Sequence, residues 1–309
     1  MKGAMIIAPL VAVVVLGMIL RGRGFFSEAD RDRFTKLLYW VTLPALLFRT
    51  VYLSGNDLTQ HKNLFFVLYS SFLIVPAIGL VLSYLLNPND RRVYSFTAMA
   101  SMRSNCFYLG IPAASLALGE PGVIAASTFL AIGLPGYNLL SVLWGEAVMS
   151  GGLSPGTVRK AGVRAFKNPL IVSSLLGLLA AQAEITIPLT VLEALKLIGD
   201  MATGIALFAL GMGLELSNLR GAFRRTWLEV LMKLIINPAV VWALFLAWPA
   251  QETLFQTSII ISAMPTAVNA FIVARGMGMD ERYASETVAV TTILAPLAIS
   301  VWVSLLGIS

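Results

Sequence analysis

Charged residues are scarce in this sequence: they make up 12% of its 309 residues, whereas 58% are hydrophobic. The mean hydropathy is +0.82, and apolar runs of about 20 residues, long enough to cross a bilayer as a helix, recur along the chain. This balance excludes a soluble domain of this length and predicts an all-α polytopic membrane protein. The first apolar run is interpreted as a membrane span rather than a signal peptide, because Arg21 and Arg23 follow it instead of preceding it.

The sequence also has a single cysteine, Cys106, and a single histidine, His61. One cysteine excludes an internal disulfide and a cysteine-based metal cluster. His61 falls in a predicted loop outside the bilayer, so a Ser-His triad or a histidine-bound metal within the membrane is excluded as well. The sequence lacks the paired mid-membrane aspartates of an intramembrane aspartyl protease. We therefore expect neither an enzyme nor a cofactor or metal site.

Ten membrane spans are predicted, and most of the 22 Lys and Arg residues then lie on one side of the membrane. The positive-inside rule therefore places both termini on the extracytoplasmic side of the cell membrane. The same bias explains the net charge of +6 without nucleic-acid binding. The spans, numbered 1 to 10 in chain order, cover approximately residues 4–21, 35–53, 63–86, 92–118, 123–149, 168–183, 189–214, 226–248, 253–277 and 283–307.

The two halves of the sequence resemble each other at a spacing of about 160 residues. Each half contains five spans, and this odd number turns the second half upside down relative to the first. The sequence therefore predicts two inverted five-helix repeats, residues 1–150 and 151–309, an arrangement typical of transporters. The matching segments are PLVAVVVLG (9–17) with PLIVSSLLG (169–177), ALLF (45–48) with IALF (205–208), and IVPAIGLVL (74–82) with INPAVVWAL (236–244).

Spans 4 and 9 carry helix-breaking and polar residues at corresponding places, in MRSNCFYLGIP (102–112) and SAMPTAVNAF (262–271). Gly110 and Pro112 are predicted to interrupt span 4. Irregular backbone inside a bilayer requires a lined cavity, and carriers with inverted repeats bind substrate near the midplane at such breaks. The candidate substrate-binding residues are Arg103, Ser104, Asn105, Gly110, Pro112, Pro265, Thr266 and Asn269.

The relative register of the two breaks stays open in the sequence. Placing Asn105 over Asn269 gives an offset of 164, whereas placing Gly119 over Gly278 gives 159. The prolines and asparagines of both spans could instead be simple packing features. A channel is a further alternative, but polar faces along several helices would be expected of it rather than two local breaks.

Arg103 is predicted to lie about 16 Å into a hydrocarbon core of ~30 Å. Span 4 thus contributes a cation near the midplane, which favours an anionic solute. Arg103 has two possible roles, binding a substrate carboxylate or binding carbonyl groups freed by the break. Asp200, four residues after Lys196, is predicted to form a local ion pair, and Lys233 either bonds a neighbour or reaches toward the interface.

The segment SNCFYLGIPAASLALGEPG (104–122) resembles the Asn-x-x-Phe/Met-x-Gly-Ile-Pro signature of the auxin efflux carrier family, whose bacterial members include candidate malonate and malate transporters. KNPLIVSSLLGLL (167–179), LFALGMGL (207–214) and SAMPTAVNAFIVARGMGMD (262–280) resemble the second half of that family. The resemblance implies a crossover of broken spans 4 and 9, with Asn105 contacting the substrate carboxylate and Pro112 marking the first crossover. It further implies a dimeric scaffold of spans 1, 2, 6 and 7 and an elevator-like transport domain of spans 3–5 and 8–10.

We therefore predict a homodimeric secondary carrier that moves small organic anions, such as malonate- or malate-type carboxylates or auxin-like acids, across the bilayer. The alternative is a sodium- or proton-coupled symporter of the related bile-acid-transporter type.

Overall fold

The computed structural model of the protein describes residues 2–54, 61–151, 163, 169–213 and 219–308. Throughout these ranges the chain is mainly helical, with short π-helical turns at Leu38–Thr42, Cys106–Gly110 and Met232–Ile236 and no strand beyond an isolated bridge. The α-helices are α1 (Lys2–Gly22), α2 (Glu28–Leu37), α3 (Leu43–Ser54), α4 (Lys62–Leu86), α5 (Arg91–Ala100), α6 (Ile111–Met149), α7 (Pro169–Gln182), α8 (Leu189–Gly213), α9 (Leu219–Leu231), α10 (Asn237–Ala247), α11 (Glu252–Ser262), α12 (Asn269–Gly276) and α13 (Glu281–Leu305).

Several of these helices are built to lie in a bilayer. Within the described ranges, five segments are long and apolar enough to cross a membrane: Lys62–Leu86, Ile111–Leu134, Leu189–Gly213, Arg220–Ala247 and Glu281–Leu305. The prediction of an all-α, multi-pass membrane protein is thus confirmed. The number of spans, ten, and the inverted repeat remain predictions at this point.

The helix of span 2 begins earlier than predicted, at Glu28 rather than near residue 35. Ser27 forms a capping box with Asp30, because each side chain accepts a hydrogen bond from the other residue's backbone amide. Arg31, which falls between the predicted spans 1 and 2, therefore lies on α2. The cap was not recognised because charged residues hid the start of the apolar pattern.

Span 4 is interrupted at residues 101–105, not at Gly110 and Pro112 as predicted. Gly110 closes the π-helical turn Cys106–Gly110, and its amide donates to the Asn105 carbonyl at 3.0 Å. Pro112 lies at the start of α6, directly after the π-helical turn, and the helical backbone continues through it. Span 9 is interrupted between α11 and α12, over residues 263–268.

The turn between spans 4 and 5 is a sharp bend inside α6. Gly119 has φ +67° and ψ −149° there, which a residue with a Cβ atom rarely adopts. Gly122, one turn later, lies so close to the chain before the bend that a Cβ atom would be 2.3 Å from the Ala114 carbonyl oxygen. The two halves of α6 therefore correspond to the end of span 4 and to span 5.

The helices of spans 1, 2, 6 and 7 pack against one another, with α1 against α8 and α3 against α7 and α8. Two glycines allow close approach: a Cβ atom on Gly17 would lie 2.3 Å from the Phe208 carbonyl oxygen, and one on Gly177 would lie 2.5 Å from that of Phe48. The glycines are 160 residues apart (177 − 17), and so are the phenylalanines (208 − 48). The remaining helices pack together around the two interrupted spans, with α6 against α5 and α11, α4 against α10, and α9 against α13.

Candidate functional site

The two interrupted spans cross and bond to each other through their backbones. The amide of Asn105 donates to the Pro265 carbonyl at 2.8 Å, and the amide of Ala267 donates to the Arg103 carbonyl at 2.8 Å. Unpaired backbone groups are costly in a membrane interior unless protein or ligand satisfies them. This reciprocal pair of bonds therefore stabilises the crossing.

At the centre of the crossing an antiparallel bridge joins Ser104 to Thr266, residues separated by 162 positions (266 − 104). The turn glycines Gly119 and Gly278 both have positive φ, +67° and +74°, and they are separated by 159 positions. The stretch from the crossing to the turn is thus three residues longer in span 4 than in span 9, since 162 − 159 = 3. Of the two spacings that the sequence left open, 159 matches the turn glycines and 164 matches neither landmark.

Asn105 presents a free donor to a small cavity at the crossing. The residue is 2% exposed, and its Nδ2 atom has no hydrogen-bond partner in the part of the chain that the structure describes. A buried donor without a partner is destabilising, so a ligand or water is expected to bind there. The cavity has a volume of about 30 Å³, which holds roughly one water molecule. Its polar lining comes from Ser104, Asn105, Tyr137, Asn138 and Asn269, and Leu43 and Leu47 of α3 close the other side.

Arg103 is fully buried and brings a guanidinium to the crossing. It donates to the hydroxyl of Ser141 and, at 3.1 Å, to Oδ1 of Asn269, and it lies 4.8 Å from the centre of the Tyr137 ring. Its Nε atom has no partner, and among the described residues no carboxylate lies within 4.0 Å of it. Contacts with neutral side chains and with the ring face therefore hold the guanidinium in place. Among the described residues, no carboxylate neutralises its charge.

Lys233 brings a second buried cation to the same crossing, from the π-helical turn after α9. Its Nζ donates to the Ser104 hydroxyl at 2.6 Å and to the Ser101 carbonyl at 3.4 Å. Asn237, one turn later, donates to the Ser262 carbonyl at 2.9 Å. Of the two possibilities left open for Lys233, the bond to a neighbour is correct.

The electrostatic field at the crossing favours an anion. Two cations, Arg103 and Lys233, are buried beside it, and the second half of each broken span begins there, at Cys106 and Asn269. Helix N-termini carry partial positive charge and unpaired amides, which stabilise negative groups. The geometry is thus suited to holding a small carboxylate.

A large cleft of about 570 Å³ opens next to the crossing. Its walls include Val142, which follows Ser141, and Ile272, one helical turn after Asn269. A volume of this size is typical of small-molecule sites. The charged residues at its walls are Lys36, Glu146 and Arg275.

Comparison with known proteins bears on the function of the chain. The model of a family described as membrane transport protein matches residues 156–303. A protein of Rhizobium meliloti (strain 1021) named "Putative malonate transporter" is 26% identical over 266 residues, which cover 84% of this chain and 81% of the relative. The rice protein "Auxin efflux carrier component 3a" (Oryza sativa subsp. japonica) is 26% identical over 148 residues, 46% of this chain and 24% of the rice protein.

The chain is a membrane transporter, and its second half matches this family. A second relative of similar length, an "Uncharacterized transporter" of Methanothermobacter thermautotrophicus, is 22% identical over 310 residues, 95% of both chains. The resemblance of the sequence to the auxin efflux carrier family is therefore confirmed.

Six of the eight predicted site residues of this membrane transporter meet at the crossing. Arg103, Ser104 and Asn105 come from span 4, and Pro265, Thr266 and Asn269 from span 9. The other two, Gly110 and Pro112, lie beyond the break, in the π-helical turn and at the start of α6. Their structural position is helical, and their binding role stays a prediction.

Several polar residues that the sequence analysis did not assign to the site also contact the crossing. Tyr137, Asn138 and Ser141 of α6 form a polar group on a mainly apolar helix, a pattern that could have been recognised in span 5. Asn237 and Thr291 had no such signal, although the hydroxyl of Thr291 accepts a hydrogen bond from the Thr266 amide at 3.2 Å. Away from the site, the predicted ion pair between Lys196 and Asp200 is confirmed, at 2.9 Å.

Proposed function

We propose that this membrane transporter is a secondary carrier for small organic anions, with malonate- and malate-type carboxylates as its substrate class. The observation that carries the proposal is the free Nδ2 donor of Asn105, buried at the crossing beside the guanidinium of Arg103. A carboxylate can accept from the amide and face the arginine at the same time. The name of the Rhizobium relative, a malonate transporter, supports this substrate class.

The carrier works, in our proposal, as ten spans in two inverted five-helix repeats, residues 1–150 and 151–309. Two observations support this symmetry. The close contacts of Gly17 with Phe208 and of Gly177 with Phe48 interchange under a shift of 160 residues. The two backbone bonds of the crossing interchange likewise under a shift of 162 residues, since Asn105 maps to Ala267. Under this arrangement both termini lie on the extracytoplasmic side.

Spans 1, 2, 6 and 7 act as a dimeric scaffold, and the other spans carry the substrate past it in an elevator-like motion. The cavity at Asn105 supports this division, because Leu43 and Leu47 of the scaffold helix α3 face the crossing across it. Movement of the crossing relative to α3 would open and close the site. The cavity holds roughly one water molecule, so a dicarboxylate enters only when these surfaces separate.

The wide cleft beside the crossing is the cytoplasmic route to the site. Lys36 and Arg275 line it, on the side to which the positive-inside rule assigns the cytoplasm. These cations attract an anion toward Ser141 and Asn269, which already bind Arg103. The described conformation is therefore closer to an inward-facing state.

The proposal is tested by a thermal-shift screen of organic acids on the purified protein, followed by calorimetry. We expect malonate- or malate-type acids to stabilise the protein by binding. Asn105→Ala should weaken that binding by about ten- to a hundredfold, because a lost bond to a buried donor costs about 1–3 kcal/mol. Asn63→Ala is the matched control, since Asn63 bonds the Pro249 carbonyl on the exposed surface. Unchanged affinity in Asn105→Ala would remove this residue from the site.

A sodium-coupled symporter of the bile-acid-transporter type makes a different prediction. The described residues include no cluster of three or more His, Cys, Asp or Glu side chains that could hold a metal ion. Because the proposed site binds the anion through the protein's own cations, we expect uptake of malonate into proteoliposomes to continue when sodium is replaced by choline. Loss of uptake in choline would favour the sodium-coupled alternative.

A further inference from the structure

Glu229 on α9 is a buried carboxylate that the substrate site does not use. The residue has no exposed surface. Its Oε1 atom accepts hydrogen bonds from the hydroxyls of Thr97, at 2.5 Å, and Tyr283, at 3.4 Å. Its Oε2 atom has no partner in the part of the chain that is described, and no ion pair within 4.0 Å joins Glu229 to a Lys or Arg there. One oxygen of the group is thus held in place and the other is free.

Glu229 lies between the crossing and the charged surface of the protein. Arg225, Glu229 and Lys233 are four residues apart and share one side of the helix. Arg225 forms an ion pair with Glu286, which is partly exposed, while Lys233 bonds the Ser104 hydroxyl at 2.6 Å. A line of polar side chains therefore runs from the surface through Glu229 to the crossing.

The surroundings of Glu229 belong to the helices that pack around the crossing. The charged and titratable groups near it are Lys233 on its own helix and Tyr283 of α13, and Asp280 at the start of α13 neighbours Tyr283. Helices α5 and α4 contribute the hydroxyls of Thr97 and Ser83. A carboxylate buried without a direct ion pair loses much of its hydration energy, whereas the neutral acid loses little. The gain or loss of a proton at Glu229 therefore changes the solvation energy of this side chain strongly.

We propose that Glu229 binds the proton that is transported together with the organic anion. A proton from water forms an O–H bond at Oε2 of the carboxylate, and the neutral acid moves with the helices around the crossing. On the other side of the membrane the O–H bond breaks and the proton returns to water, with no transfer of electrons. Lys233 links the two sites, because the same ammonium group lies one helical turn from Glu229 and bonds Ser104 of the crossing. This inference rests on the proposed function and adds the coupling ion to it.

The first test measures proton binding without any substrate. Infrared spectra of the purified protein, recorded over a range of pH, report the C=O band of a protonated carboxylic acid. We expect Glu229→Gln to remove one such band that the wild type and Glu252→Gln both show. Glu252 is the matched control, because it is exposed and bonds only Gln256 among the described side chains. Identical spectra for wild type and Glu229→Gln would overturn the proposal.

The second test measures coupling in proteoliposomes with the membrane potential clamped to zero. With one proton per anion, a pH gradient of one unit should drive about tenfold accumulation of malonate in the wild type. Glu229→Gln should lose this accumulation while labelled malonate still exchanges for unlabelled malonate. Accumulation by Glu229→Gln equal to that of the wild type would refute the coupling role.

The two tests separate this inference from the proposed function. If the wild type neither binds nor moves malonate, the substrate assignment fails, and the infrared band still decides whether Glu229 takes up a proton. Should Glu229→Gln not fold, Glu229→Asp replaces it, because it keeps an ionisable carboxyl group in a shifted position. The aspartate variant is expected to move the pH dependence of both the band and the uptake, and an unmoved dependence would contradict the proposal.

Discussion

Replacing Arg103 with glutamine is expected to weaken the binding of a dicarboxylate much more than that of a monocarboxylate of the same shape. In the structure, the guanidinium bonds Ser141 and Asn269 and faces the ring of Tyr137, and it does not bond the carbonyls of the break within the described residues. Glutamine keeps an amide that can still bond one of these neighbours but removes the charge. A lost charge-assisted hydrogen bond costs about 1.5–3 kcal/mol, so the affinity for the dicarboxylate should fall by about ten- to a hundredfold.

The assay is calorimetry with malonate and with its monoamide, which has nearly the same size but one carboxylate. Arg49→Gln is the matched control, because Arg49 bonds the Leu192 carbonyl at 3.1 Å, between α3 and α8 and away from the crossing. Wild type and control should prefer malonate, and Arg103→Gln should lose most of that preference. Equal weakening of both ligands, together with a lower thermal stability, would refute the reasoning. The substrate class would then reopen toward acids with one carboxylate or an aromatic ring.

Three further predictions concern the packing and the surface of the protein. Gly177→Ala should lower the stability by about 1–3 kcal/mol in thermal unfolding, because its Cβ atom would lie 2.5 Å from the Phe48 carbonyl oxygen; an unchanged melting temperature would contradict this close approach. Arg275→Gln removes one of the cations that line the cleft, so malonate exchange should slow by up to about fivefold at low ionic strength and lose part of its salt dependence, whereas an unchanged rate would argue against attraction of the anion through the cleft. Lys196→Ala breaks an exposed pair and should change stability by less than about 0.5 kcal/mol, and a larger loss would show that the pair is more than a surface contact.

The sequence predicted breaks in spans 4 and 9 because the signals for them are local, and the family resemblance implied that the two broken spans cross. Polar residues and helix breakers within an apolar run are visible without any partner, and Arg103, Asn105 and Asn269 do meet at the crossing. The predicted position of the break in span 4 was wrong for a physical reason. Gly110 and Pro112 are compatible with a helix where they lie, whereas residues 101–105 leave the helix because their backbone pairs with a segment 162 positions away.

The second cation and the buried acid could not be assigned from the sequence. Lys233 and Glu229 lie on a helix whose local pattern resembles any amphipathic helix end. Their partners, Ser104 and Thr97, are 129 and 132 positions away along the chain. Only the packing of α9 against the crossing shows that these two residues are buried and share one polar line.

The central claim, that an organic anion binds at the crossing and is carried rather than conducted, is tested most directly by counterflow. Proteoliposomes loaded with unlabelled malonate are placed in a trace of labelled malonate, and the internal label is followed over time. The account predicts a transient overshoot of label for the wild type and its loss in Asn105→Ala. Two results would contradict it. One is uptake of label that shows no overshoot and rises only to the level of empty liposomes, and the other is an overshoot that Asn105→Ala leaves unchanged.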